Sequence, residues 1–329
     1  MENPRTWKPA LRKALRLLSL PGVLLAAELA RAAEVDPLVT TLRADVTMLA
    51  ETIGPRSLDR PGTLDKTIEF IVTRFEASGW VVNRLEYRVG AQRCFNLEVE
   101  KRGTKFPDEI VIVGAHYDTL TRTPGADDNA SGIAGMLALA ERFARETPER
   151  TLRFVAFANE EPQYFQTDAM GSRVYARRCK QKGEAVVAML SLETMAYFSD
   201  AKKSQKYPFP LSLFFPSRGN FLAIVGNRES KALVKQMAKV FAATGVLPVE
   251  SASLPGKLEG VGWSDHWSFW QEGYAAVMVT DTAPFRNPNY HKRTDTVETL
   301  DFVRFAAAVR GLEAVVKDLV TGPKVNLVK

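Results

Sequence analysis

The sequence predicts a single α/β domain, a mostly parallel mixed β-sheet flanked by helices on both faces. Residues 110–113, 154–157, 186–190 and 275–279 are short unbroken apolar runs, as expected of strands buried on both sides. Helix-like stretches separate these runs, and β alternating with α at this spacing builds a parallel sheet with helices packed over it. No linker rich in Pro, Gly or Ser divides the 329 residues. One large domain is therefore preferred over the two that length alone would suggest.

The elements follow in order. Leu38, Leu42, Val46 and Leu49 recur at helical spacing through 37–53, and Gly54-Pro55 ends that run. A second helix covers about 63–77, with Leu64, Ile68, Ile71 and Phe75 on one face and Gly79 as its terminator. Strands follow near 80–88 and 94–100. In the second, Phe95, Leu97 and Val99 alternate with Asn96, Glu98 and Glu100, the pattern of a half-exposed sheet edge. The four apolar runs are strands, and a further strand is expected at 221–225. Helices are expected at 131–146, 171–182, 229–243 and 297–320. Loops 194–218 and 244–262 should border the cleft, the first carrying Tyr197, Phe198, Tyr207, Phe209, Phe214 and Phe215.

Composition narrows the function classes. Hydrophobic residues make up 46% and charged residues 25%, a balance that excludes disorder, collagen and coiled coil. No stretch approaches the ~18 unbroken apolar residues of a membrane span, so no stable membrane insertion is expected. Cys94 and Cys179 are too few for a disulfide scaffold or a structural zinc cluster, although they could pair in an oxidising compartment. The net charge is +6, but six basic residues (Arg5, Lys8, Arg12, Lys13, Arg16, Arg31) against Glu2 and Glu28 place four of those charges in residues 1–32. The remainder carries no basic face, so no nucleic-acid partner is expected.

Residues 1–32 read as an export signal: a basic segment to Arg16, an apolar run over 17–27 and Ala30-Arg31-Ala32 as a cleavage site. The alternative is an amphipathic N-terminal helix of a cytosolic protein, because Pro21-Gly22 interrupts the apolar run. The remaining residues, 33–329, form the domain.

Ligands in open α/β sheets bind beyond the carboxyl ends of the strands, and those ends share a chemistry. His116 and Asp118 follow the first apolar run, Glu160-Glu161 the second, and Glu193 the third. Tyr290-His291 lies in the loop after the fourth, and Asp127-Asp128 sits between the first run and its helix. Singly these are weak signals, since Asp127-Asp128 could be a helix cap and Glu193 a loop carboxylate. Together they place carboxylates and imidazoles on one buried edge, where they repel unless a cation sits among them. Two imidazoles with several carboxylates and no thiolate suit zinc, or else manganese or cobalt. The acids are too many for one tetrahedral ion, whereas two ions about 3.5–4 Å apart sharing a carboxylate would use them all. Asp118, two residues beyond His116, points the same way on an extended chain and could hold the other imidazole nitrogen.

The series GAHYD, PGADDNASG, FANEE, GS, SLE, SDH and YHKRTDT, spread over about residues 90–310, resembles the co-catalytic zinc peptidases. That family includes bacterial secreted aminopeptidases, glutamate carboxypeptidase and, on the same fold, glutaminyl cyclase and the transferrin receptor. The resemblance implies two Zn2+ ions, with His116 and Glu193 on one, Glu161 and His291 on the other, and Asp128 bridging. It implies Glu160 as general base, and Tyr290 as a hydrogen-bond donor to the oxyanion or else a packed aromatic. It also implies a cis peptide at Asp128–Asn129 and Asp295 behind His291. Asp265 and His266 match a stretch near the site that does not usually supply ligands. Glu193 stands where the family often has Asp.

The activity expected is metal-assisted hydrolysis of a peptide bond, releasing N-terminal residues from a peptide substrate. Three alternatives share the fold. A carboxypeptidase for acidic residues would need an arginine cluster drawn from Arg218, Arg228, Arg286 and Arg293. A glutaminyl-cyclase-like acyltransferase would carry one zinc. A non-enzymatic binding module would lack ligands. The sequence leaves the oligomeric state open.

Overall fold

A computed structural model gives the fold and describes residues 36–322. The stretch 1–32, expected as an export signal or an N-terminal helix, lies outside the described residues. Eight strands form one sheet: β1 (Asn83–Val89), β2 (Gln92–Lys101), β3 (Phe106–His116), β4 (Arg150–Phe157), β5 (Ala185–Glu193), β6 (Leu222–Gly226), β7 (Val249–Ser253) and β8 (Ala276–Thr280). Their order is β1-β2-β4-β3-β5-β8-β6-β7. The pairings β4-β3, β3-β5, β5-β8 and β6-β7 are parallel. The β1-β2 hairpin, β2-β4 and β8-β6 are antiparallel. The sheet is mixed and parallel at its centre, where the four apolar runs lie.

The pleat explains why those runs are unbroken. Along β3, Val111, Val113 and Ala115 enter one core while Ile110 and Ile112 enter another on the opposite face. Both faces are dry, so neither set of positions can be polar. The larger core packs under α1 (Pro37–Thr47), α2 (Thr63–Ala77), α3 (Gly132–Phe143), α5 (Lys231–Thr244) and α8 (Phe302–Thr321). The smaller one packs under α4 (Gly171–Gln181) and α6 (His266–Gln271). α1 opens on Asp36, whose side chain accepts from Leu38 N at 3.0 Å, with Pro37 at the first helical position. It runs into a wide turn, Met48–Ile53, that stops at Gly54 with φ 80°. Among the described residues no helix is long and apolar enough to cross a membrane.

Several boundaries differ from the sequence reading. The expected helix at 131–146 spans Gly132–Phe143 and is preceded by an irregular turn, Ala126–Ser131, in which Asp128 and Asn129 leave helical geometry. The helix expected from 297 starts at Phe302, because Asp301 caps it by accepting from Arg304 N at 3.0 Å. Residues 244–262, read as a loop, contain β7. The short helices α6 and α7 (Ala283–Arg286) were not expected. Cys94 and Cys179 are both buried and unpaired.

Phe154 on β4 shows how the larger core is held. It is fully buried and packs edge-on to Trp80, with ring centroids 5.9 Å apart, and against Phe143 at 6.4 Å. Truncating a buried phenylalanine costs about 3–5 kcal/mol. Phe154→Ala should lower the unfolding free energy by that amount in urea titrations; a change within experimental error would show that the ring does not anchor the core.

Candidate metal centre

The carboxyl ends of β3, β4 and β5 point the same way and deliver His116, Glu160-Glu161 and Glu193 to one rim. The turn before α3 brings Asp128, and the loop after β8 brings Tyr290 and His291. Asn159, Thr194 and His291 take left-handed backbone with φ of 59°, 47° and 59°. Strained positions of this kind cluster at functional sites. The Asp128–Asn129 peptide is cis, as expected.

Asp128 sits at the middle. Its Oδ1 lies 3.4 Å from His116 Nε2 and its Oδ2 lies 3.1 Å from His291 Nε2. Glu193 Oε2 is 3.2 Å from His116 Nε2, and Glu161 Oε2 is 3.4 Å from His291 Nε2. Two ligand atoms of one tetrahedral zinc at 2.0–2.1 Å would lie ~3.3 Å apart. All four separations match that value. Neither ring nitrogen of His116 makes a hydrogen bond among the described residues, although the ring is almost fully buried. Buried polar atoms are seldom left so, and a metal ion would satisfy Nε2. The residues therefore fit a metal. Two groups, His116-Asp128-Glu161 and His116-Glu160-Glu193, each bring one ligand atom within 4.8 Å of one another.

The electrostatics agree. Burial pushes the carboxyls of Glu160 and Glu161 well above the ordinary glutamate range and raises Glu193, and neighbouring carboxylates add to each rise. Burial also acts to raise Asp128, but the adjacent imidazoles of His116 and His291 outweigh it and hold that carboxyl low. Burial opposes charge on His116, yet Glu193 and Glu160 hold its pKa well above the usual histidine value. A pocket holding this many acids with two imidazoles is short of positive charge, which a bound cation would supply.

The surrounding residues fix the carboxylates and imidazoles at the rim. Asp118 Oδ1 is 3.5 Å from His116 Nδ1, and its two oxygens also accept from Glu160 N at 3.0 Å and Glu161 N at 3.2 Å. The sequence suggested the first contact but not the second. Asp295, expected behind His291, instead accepts from Asp127 N at 2.9 Å and Asp128 N at 3.1 Å. It therefore orients the turn that carries Asp128 rather than the imidazole. Asp127 points away from the rim, accepting from Asn287 Nδ2 at 2.8 Å and Ala196 N at 3.1 Å. Asn129 ties the turn to β5 by donating to Leu192 O at 2.8 Å and accepting from Thr194 N at 3.1 Å. The fit is tight enough to require Gly132, where a Cβ would stand 2.3 Å from Asn129 Oδ1 and 2.5 Å from Leu192 O. Ser264 donates to Glu193 Oε2 at 2.7 Å, and Leu120 N to Glu161 Oε1 at 3.1 Å.

Other residues take supporting places. His266 is buried with Nε2 2.8 Å from Val261 O, and burial lowers its pKa to about 4. Asp265 is fully buried, and burial pushes its carboxyl up to about 7. Tyr290 stacks on His291 with centroids 3.9 Å apart. Arg56, unremarkable in the sequence, is wholly buried. Its guanidinium donates to the carbonyls of Leu49, Gly54, Tyr117, Pro124 and Gly125.

An apolar cavity of about 90 Å³, partly open to solvent, adjoins Glu193 and Tyr290. Tyr207 and Phe215 from the 194–218 loop line it. Phe198 is core, and Phe209 and Phe214 are exposed. Arg218, Arg228, Arg286 and Arg293 do not line it, so the arginine cluster of an acid-selective carboxypeptidase is missing from this cavity.

The sequence matches the family model of peptidase family M28 over residues 96–316. The chain belongs to that family. It is 36% identical over 280 residues to "Uncharacterized protein YfbL" of Escherichia coli (strain K12), covering 82% of this chain and 85% of that one. It is 28% identical over 257 residues to a probable leucine aminopeptidase of Trichophyton verrucosum (strain HKI 0517), covering 70% of this chain but 62% of the fungal protein. Its fold is similar to that of a zinc aminopeptidase from Bacillus subtilis, with a TM-score of 0.69 and 15% identity over 86% of this chain and 95% of that one.

Losing the partner that orients a metal ligand typically costs 10–100-fold in affinity or activity. Asp295→Ala should weaken metal binding by about that factor in chelator competition, although Asp295 touches no imidazole. Unchanged affinity would show that the turn carrying Asp128 holds its position without the carboxylate.

Proposed function

We propose that this member of peptidase family M28 is a two-zinc aminopeptidase, hydrolysing the first peptide bond of a substrate with a free N-terminus. The observation that carries the reading is Asp128, whose two oxygens face two different imidazoles, with Glu193 and Glu161 flanking them at ligand spacing. His116 and Glu193 would hold one ion, Glu161 and His291 the other, and Asp128 both. When bound, the zinc pair lowers the pKa of water and polarises the scissile carbonyl.

The chain's own groups do the rest. Glu160 Oε2 stands 3.9 Å from His116 Nε2, the longest of these approaches, which leaves it free to move a proton. It accepts the proton of the attacking water and passes it to the leaving amine. Asp118 fixes its place by holding the Glu160 and Glu161 N–H groups. Burial, together with the charges of Asp128 and Glu193, keeps the Tyr290 phenol protonated, so it serves as a donor to the developing oxyanion. Carboxylates at the rim also receive the substrate's ammonium, which favours a free N-terminus. The apolar cavity beside Glu193 takes the first side chain.

Glu160→Ala should retain its zinc while kcat falls ~10²–10⁴-fold; retained turnover would remove Glu160 from the proton-transfer role. His291→Ala should lower zinc content from two towards one by elemental analysis, and two ions per chain in that variant would dismiss it as a ligand. Aminoacyl-4-nitroanilides should be cleaved by the zinc-loaded enzyme and spared once a chelator is added. A preference for N-blocked peptides would overturn the aminopeptidase reading, whereas one zinc with cyclisation of N-terminal glutamine would favour the cyclase.

A further inference from the structure

The strand register lays out the floor of the cavity. Glu193 pairs with Thr280, Thr280 with Ala223, and Ala223 with Glu250. These four residues form one row across β5, β8, β6 and β7, and all four line the cavity. Paired positions share a face, and three strand spacings of about 4.8 Å put the row's ends about 14 Å apart. A carboxylate of the metal centre thus stands at one end and a second carboxylate at the other. The small side chain of Ala223 leaves the floor between them open, while Phe215, Phe221, Trp263 and Phe285 supply apolar walls.

Glu250 has no structural partner. Among the described residues its carboxylate makes no ion pair and no side-chain hydrogen bond, and no basic side chain lines the cavity. Tyr207, whose phenol feels the charge of Glu250, donates to Pro216 O at 2.8 Å instead. Arg286 is committed elsewhere, donating to Gln205 Oε1 at 2.7 Å and Phe221 O at 2.9 Å. Partial burial raises the Glu250 carboxyl. A half-buried carboxylate at the far end of an apolar slot is costly unless a cation meets it.

We propose that Glu250 is a specificity determinant, selecting substrates whose first residue is lysine or arginine. The aliphatic stem would lie along Ala223 between the aromatic walls, and the cationic head would meet Glu250. Lysine and arginine combine an apolar stem with a charged tip. A leucine side chain would fill only the near part of the row. The inference rests on the aminopeptidase reading, since that reading places the first residue at the Glu193 end.

The test compares lysyl- and arginyl-4-nitroanilide with norleucyl-4-nitroanilide, which keeps the stem and lacks the charge. The zinc-loaded full chain should favour the basic substrates in kcat/KM. In Glu250→Gln the basic-to-norleucine ratio should fall about 10-fold, as expected for loss of a charged hydrogen-bond partner. Glu250→Lys should invert the preference. Calorimetric binding of lysinamide and norleucinamide gives a readout that does not need turnover. Cleavage with no basic preference, or a ratio within twofold of wild type in Glu250→Gln, overturns this inference and leaves the aminopeptidase reading standing. Tighter binding of lysinamide, lost in Glu250→Gln, with none of the three substrates cleaved would sustain the pocket assignment and defeat the proposed reaction.

Discussion

The structure is organised around a charge imbalance. Asp128, Glu160, Glu161 and Glu193 share a buried rim with His116, and each is at least nine-tenths buried. Ionised carboxylates at these separations repel one another, and burial removes the water that would screen them. The chain contributes two imidazoles and, further back, the guanidinium of Arg56, whose own pKa burial lowers to about 10. That is less positive charge than the acids require. A scaffold that holds such groups together with too little internal positive charge is arranged for an external cation.

Rigidity at the rim comes from carboxylates used as clamps on main-chain N–H groups. Asp118 grips the consecutive N–H groups of Glu160 and Glu161. Asp295 grips those of Asp127 and Asp128. Each clamp crosses from one segment to another, so the relative placement of strand ends does not depend on loop stiffness. The oxygens facing the imidazoles are steadied in turn: Ser264 donates to Glu193, and Leu120 N holds the other oxygen of Glu161. The rim's carboxylates and imidazoles are therefore held in place by the protein itself, an arrangement that would reduce the ordering cost of binding a cation.

Legibility in the sequence followed the range of the interactions. The four central strands were readable because burial on both faces leaves an unbroken apolar run; His116, Glu160-Glu161 and Glu193 follow three of those runs, while Asp128 and His291 lie in the segments that connect strands to the next elements. β7 was not, since Val249–Ser253 is an edge strand with a half-exposed pattern and little apolar content. The start of α8 was set by the Asp301 cap rather than by the apolar spacing that continues upstream. The partner of Asp295 lies 168 residues away, a contact no local pattern encodes. The row from Glu193 to Glu250 arises only from strand register, because β5 and β7 are far apart in sequence.

Arg56 illustrates a different kind of dependence. All five of its recorded acceptors are peptide carbonyls, drawn from the turn after α1 and from the segment between His116 and Asp128. Main-chain oxygens are present whatever side chain follows, so Leu49 or Pro124 could be exchanged during evolution without removing an acceptor. An insertion or deletion within 117–125 would displace several acceptors at once. The brace thus permits drift in residue identity while resisting change in segment length.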